Sequence, residues 1–167
     1  MHEDLSSDAP RWLDADERLT WLVLVSLLQT LPGALDAQLQ RDSGLSFFEY
    51  MVLAMLSEQE DRTLRMSRLA AVTNGSMSRL SHVAAKLERR GLLRREPCPG
   101  DGRAINAVLT DAGWETVVAA APRHVNRVRE LVLDPLTRTQ QVQLRAVGSR
   151  ILDAVSPAGE RLPVGGR

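Results

Sequence analysis

Between Ser76 and Arg103 the chain sets hydroxyls, basic groups and an imidazole at spacings suited to gripping a polyanion. In the run from Ser76 to Arg89, apolar residues recur at Leu80, Val83, Ala84 and Leu87, one face of a helix. The other face carries Ser78, Arg79, His82, Lys86 and Arg89, all able to donate hydrogen bonds to phosphate oxygens or base edges. Residues 92–96 read as a strand, Pro97 to Arg103 as a turn-rich loop with an arginine at its tip, and 104–109 as the returning strand. Helix, strand and basic loop in that order are the parts of a winged helix-turn-helix, whose helix enters the major groove of duplex DNA.

Within that reading, Met77 at the first helical position, Ser78, Arg79 and His82 face base edges, and Ser76, Ser81 and Lys86 lie nearer the phosphates. Arg79 is best placed for a two-pronged contact to guanine, a pairing worth about 1–3 kcal/mol of discrimination. Arg103 at the loop tip is suited to a narrow minor groove, which attracts arginine electrostatically. Arg94 and Arg95 alternate along a strand, so only one can face DNA, and Arg95 is assigned to it. Arg65 is placed to touch a phosphate or to be solvated.

Net charge does not announce a nucleic-acid partner: 21 basic and 21 acidic side chains cancel. Their distribution does. From Arg79 to Arg103 seven basic residues face three acids, a net of +4, whereas Met1 to Thr20 carries six acids and two arginines, a net of −4. A local basic patch steers association whatever the total. Lys86 is the only lysine in the chain.

Other chemistry finds little support. His2, His82 and His124 share no metal-ligand spacing, and Cys98, the single cysteine, excludes an internal disulfide and a cysteine-rich zinc site. No nucleophile elbow, zinc-protease motif or phosphate-binding glycine loop is present, so neither an enzyme nor a cofactor is expected. The acidic start lacks a signal peptide's basic residues, and the apolar run Trp21 to Leu28 is shorter than the roughly 20 residues that span a bilayer. A cytoplasmic location without membrane contact is expected.

The elements that must position these residues are legible at coarse grain. Residues 1–11 are expected to form a loose arm and 156–167 a disordered Pro/Gly-rich tail, with one unit at 12–155. A helix from about Leu13 to Thr30 is apolar nearly all round, which implies burial against a partner subunit; Pro32-Gly33 should kink or end it, with Ala34 to Arg41 helical beyond. Ser46 and Glu49 form a capping box for a helix whose expected core is Phe47, Tyr50 or Met51, Leu53, Ala54 and Leu56. A short helix at 66–72 precedes the turn Thr73-Asn74-Gly75, where Gly75 is expected to take positive φ. Ser76 caps the next helix and Gly91 ends it. Thr110 starts a long helix with an apolar face of Val117, Val118, Ala121, Val125, Val128 and Val132, kinked at Pro122. Thr137 and Gln140 cap a last helix, with Leu144, Val147, Ile151 and Leu152 expected inward.

The stretch Ser78-Arg79-Leu80-Ser81-His82, with Leu87-Glu88-Arg89-Arg90-Gly91-Leu92-Leu93, resembles the recognition helix of the MarR transcriptional regulators. Asp101-Gly102-Arg103 followed by Leu109-Thr110-Asp111-Ala112-Gly113 resembles that family's wing motif, and similarity in layout extends from about Trp12 to Leu152. The resemblance implies a mainly α fold with a small antiparallel β-wing, a winged helix lobe at 45–109, and dimerisation helices at 12–44 and 110–155. It implies a bacterial homodimer on a pseudo-palindromic operator in double-stranded DNA, a repressor released by a small aromatic or phenolic effector. It also implies that Asp101 accepts hydrogen bonds from a nearby arginine and so orients the wing. An effector crevice would draw on Trp21, Phe47, Tyr50 and Trp114. His82 departs from the family's usual arginine, and a neutral imidazole cannot fork onto a base. Two other readings stay open: a winged helix kept for protein contacts without DNA binding, and a regulator that senses oxidants through Cys98.

Overall fold

The computed structural model describes residues 10–155, so most of the expected arm and all of the expected tail lie outside the described residues. The described residues divide into two compact units on either side of the bond between Gly33 and Ala34. In the first, α1 (Ala15–Ser43) begins behind Asp14, whose carboxylate accepts the Asp16 and Glu17 N–H groups at 2.8 Å each. α1 runs on through Pro32, expected to kink or end it, because one lost backbone donor next to exposed turns is tolerated. No residue of α1 up to Gly33 is buried, and Leu19, Trp21, Leu22, Val23, Leu27 and Leu28 are all exposed. By length and composition α1 could cross a membrane. The same properties serve a helix covered by another chain.

In the second unit the end of α1 buries Leu35, Gln38 and Leu39. Then follow α2 (Phe47–Ser57), β1 (Thr63–Arg65), α3 (Met66–Val72), α4 (Met77–Arg89), β2 (Leu93–Cys98), β3 (Asp101–Leu109), α5 (Asp111–Val128), a π-helical turn (Arg129–Leu133) and α6 (Arg138–Val155). The three strands form one antiparallel sheet in the order β1-β3-β2. β1 was not expected; three residues are too few to show an alternation. The architecture is mainly helical with a small antiparallel wing, as anticipated. Leu39, Leu45, Leu53, Leu56, Leu69, Leu80, Leu87 and Leu93 make its fully buried centre.

Local signals set the element ends. Ser46 and Glu49 close the capping box of α2: the Ser46 hydroxyl accepts Glu49 N–H at 3.2 Å, and Glu49 Oε2 accepts Ser46 N–H at 2.7 Å. α2 is covered on more than one side, so Phe48, Glu49 and Val52 are buried with Tyr50, Leu53 and Leu56, whereas Phe47, Met51 and Ala54 are only partly so. In the turn before α4, Asn74 takes positive φ (50°) in place of Gly75. Gly75 is required for space, since a Cβ there would lie 2.6 Å from Phe48 Cζ. At the other end of α4, Gly91 (φ 72°) lets Leu92 N–H reach Leu87 O at 3.0 Å and Gly91 N–H reach Glu88 O at 2.9 Å, a Schellman cap.

That cap is stitched to the start of α5. Thr110 donates its hydroxyl to Gly91 O at 2.7 Å and accepts Gly113 N–H at 3.0 Å, and its N–H reaches Leu92 O at 3.2 Å. The buried face of α5 is Gly113, Val117, Ala120 and His124; Val118 and Val125, expected inward, are exposed. The Thr137–Gln140 capping box is present. Leu144, Val147, Ile151 and Leu152 of α6, expected inward, are exposed, and no α6 residue is buried among the described residues.

A Cβ at Gly113 would meet Leu92 O at 2.0 Å, a backbone atom that cannot swing aside. Gly113→Ala is predicted to destabilise the fold by about 3 kcal/mol, the upper end of overpacking costs. Urea unfolding checks this, with Gly148→Ala as a control, because no atom lies within 4 Å of a Cβ at that position.

Candidate nucleic-acid interface

α4 presents Met77, Ser78, Arg79, His82, Lys86 and Arg89 on its exposed face, with Ser81 half-buried. Ser76 caps the helix by accepting Arg79 N–H at 3.2 Å, which leaves its hydroxyl proton available to a phosphate. α2 fixes the helix from beneath through two neighbouring residues. The guanidinium of Arg79 lies over the Phe48 ring, 4.0 Å from its centroid. Lys86 Nζ meets Glu49 Oε1 at 2.6 Å, and the Glu49 side chain is only 2% exposed. Burial works to raise the Glu49 carboxyl, but the hydrogen bonds from Lys86 and Ser46 N–H outweigh it and hold it below its ordinary value.

Lys86, expected near the phosphates, is therefore committed to a buried carboxylate. Arg95 is likewise paired, at the surface: its Nε and Nη2 reach Glu88 Oε2 at 3.0 and 2.6 Å, and its N–H reaches Glu88 Oε1 at 2.8 Å. These bonds keep the Glu88 carboxyl below its ordinary value. Arg94 pairs with Glu96 at 3.1 Å, so neither strand arginine is free to turn to DNA without breaking a pair. Arg65 is exposed, and its Nη1 lies 3.7 Å from Asp101 Oδ2. Asp101 Oδ1 also accepts Arg103 N–H at 3.2 Å, so the carboxylate joins β1 to the wing tip. Among the described residues, Arg79, Arg89 and Arg103 form no ion pair.

The four aromatics proposed for a crevice do not form one set. Phe47 and Tyr50 meet at His124, with ring centroids 6.0 and 4.5 Å away. Gln38 orients that imidazole: its Nε2 donates to Asp42 Oδ2 at 2.9 Å, so its Oε1 faces His124 Nδ1 at 3.2 Å and Nδ1 carries the proton. Burial pushes His124 below its ordinary value and keeps it neutral. Trp114 lies under the Arg62 guanidinium, 4.4 Å from its ring, and borders an open cleft of about 600 Å³ with Ser57, Glu58, Gln59 and Glu60. Trp21 is exposed in the first unit.

No cluster of His, Cys, Asp or Glu suited to a metal occurs among the described residues. Cys98 is half-buried beside the wing turn, its thiol 3.8 Å from Pro99 O. Sequence reasoning missed Phe48 as a platform and Glu49 as an anchor for α4. The capping box drew attention to Glu49, but nothing local could reveal its second partner.

Lys86→Ala strands a buried carboxylate. With Lys86 itself 48% exposed, solvent screening reduces the loss to about 2 kcal/mol. A depressed carboxyl contributes stability that is present above its unfolded pKa and disappears as pH falls through the folded one. The wild type should therefore lose stability as pH falls below about 4.3, the ordinary glutamate value. Lys86→Ala should flatten that acid limb, as read by thermal melts at stepped pH.

Known proteins share this fold. Residues 43–104, from the end of α1 through the wing turn, match the model of the MarR family. Sco3205, a MarR family transcriptional regulator from Streptomyces coelicolor solved in complex with DNA, is 42% identical with a TM-score of 0.87, over 91% of this chain and 95% of that one. AbsC, another MarR family regulator from Streptomyces coelicolor, is 37% identical with a TM-score of 0.83, over 87% of this chain and 98% of that one. The transcriptional repressor MprA of Escherichia coli K12 is 27% identical over 65% of this chain, and the match spans only 61% of MprA. With two solved members aligned over nearly their whole lengths and the winged helix lobe in place, the chain belongs to the MarR family of transcriptional regulators.

Proposed function

We propose that the protein is a homodimeric, cytoplasmic repressor that binds a pseudo-palindromic operator in duplex DNA. The observation that carries the reading is the partition of its basic residues. Lys86, Arg95, Arg94 and Arg65 are neutralised by carboxylates, whereas Arg79, Arg89 and Arg103, on the exposed face of α4 and the wing, are not. Unpaired guanidinium groups are the ones that gain by meeting phosphates and base edges. Residues 45–109 serve as the DNA-binding lobe, with Met77, Ser78, Arg79 and His82 at the bases, Ser76, Ser81 and Arg89 at the phosphates, and Arg103 in the minor groove, oriented by Asp101. The DNA-bound state of Sco3205 supports the partner, and the likeness to the transcriptional repressor MprA supports repression.

Residues 12–44 and 110–155 supply the dimerisation surface; their support is the exposed apolar stripe on α6 and the apolar first half of α1. A small aromatic effector would bind near Phe47, Tyr50 and His124, where two rings and a neutral imidazole offer stacking and one hydrogen-bonding edge. Effector binding there would act on α2, which carries the platform under α4.

A mobility shift with DNA flanking the gene, at two salt concentrations, tests the reading; no retardation at low salt would overturn it. Arg79→Ala should relax base preference, and Arg89→Ala should weaken all duplexes alike and reduce the salt slope by about one. Arg103→Ala should lose most affinity on sites with A·T-rich flanks. Sedimentation should give a dimer at micromolar concentration, and a folded monomer there would remove the basis for two-fold operator recognition.

A further inference from the structure

Phe48 belongs to α2, yet its ring is bracketed by two parts of the recognition apparatus. Gly75, in the turn that delivers α4, approaches so closely that a Cβ would sit 2.6 Å from Phe48 Cζ. Over the ring lies the Arg79 guanidinium, 4.0 Å from the centroid. Phe48 is 9% exposed and belongs to the core, so the platform itself is rigid. A guanidinium can be held by its flat face while its N–H groups, which point outward in the plane, stay free to fork onto a base. Among the described residues Arg79 has no carboxylate competing for those donors.

We propose that Phe48 is a positioning residue for sequence recognition: it holds Arg79 in its reading position before DNA arrives. The inference rests on the DNA-binding function proposed above. An unsupported arginine loses its rotamer freedom when it meets a base, whereas a stacked one has already lost it. Gly75 sets the ring and the ring sets the height of Arg79, so specificity depends on a side chain that does not itself reach the DNA. The effect is confined to contacts that need Arg79 in one geometry. Binding to random duplex, driven by charge, does not use it.

The test is a double-mutant cycle on the full-length protein. The probes are a duplex enriched by the wild type from a random library and a random duplex of the same length. Phe48→Leu keeps the site apolar, and Phe48→Met serves where the leucine variant fails to fold, both checked by circular dichroism and melting. Either should weaken binding to the enriched duplex by about three- to tenfold, the range for one rotamer-rich side chain left unordered. Binding to random duplex should be unchanged, and the substitution should have no further effect in an Arg79→Ala background. Equal losses on both duplexes, or an undiminished loss in the Arg79→Ala background, would show a structural role only and overturn the proposal. Proton NMR of the free protein reads the stack without DNA, through ring-current shifts at the Arg79 side chain that vanish in Phe48→Leu. Their absence from the wild type would also overturn it. A wild type that shows the ring-current shift but enriches no sequence would instead sink the DNA-binding reading, and the proposal with it.

Discussion

A single buried carboxylate ties α2 to α4 across the core of the lobe. Glu49 closes the capping box of α2 through one oxygen and pairs with Lys86 of α4 through the other. Its side chain is almost wholly withdrawn from water, so each bond must be made for the burial to be tolerated. The consequence is geometric as well as energetic. The start of α2 and the middle of α4 cannot move apart without leaving an uncompensated charge in the core. Phe48, the residue before it, adds a second tie through Arg79. Two adjacent α2 side chains thus fix both the position and the rotation of the helix that carries Arg79.

Carboxylates elsewhere in the lobe act as selectors. Glu88 takes Arg95, Glu96 takes Arg94 and Asp101 takes Arg65, so a basic stretch that looks uniformly available in sequence is reduced to a few free guanidinium groups. The paired arginines build the wing: Glu88 joins α4 to β2, and Asp101 joins β1 to the start of β3, which carries Arg103. Positive charge in the lobe is therefore of two kinds, one paired within the fold and one left unpaired, and the distinction is made by which acids lie within reach.

The helices outside the lobe show the opposite condition. α6 buries none of its residues, and the first half of α1 is exposed along its apolar length. Apolar surface of this extent gains free energy only when covered, which is the physical basis for expecting a second chain. α5 stands between these regimes. Gly113, Val117, Ala120 and His124 face inward, whereas Val118 and Val125 remain open. A single apolar periodicity in sequence thus hides two faces, one covered by the core and one left open.

Features set by residues within about one helical turn of each other were legible in the sequence. The caps at Ser46, Ser76, Thr110 and Thr137, the stop at Gly91 and the helix–strand order of the wing all follow from short-range hydrogen bonding and backbone preference, and each is present. Even here a choice between neighbours was decided by packing. Asn74 takes the left-handed conformation because Gly75 is needed where Phe48 leaves no room for a Cβ. The sequence alone also determined where basic and apolar residues concentrate. Only the tertiary structure decided which of them have partners: Lys86 with Glu49, Arg65 with Asp101, Arg79 with Phe48 and His124 with Gln38. Each pair joins different elements, and at such separations along the chain the pairing depends on where the core brings the backbones together, which no local pattern encodes.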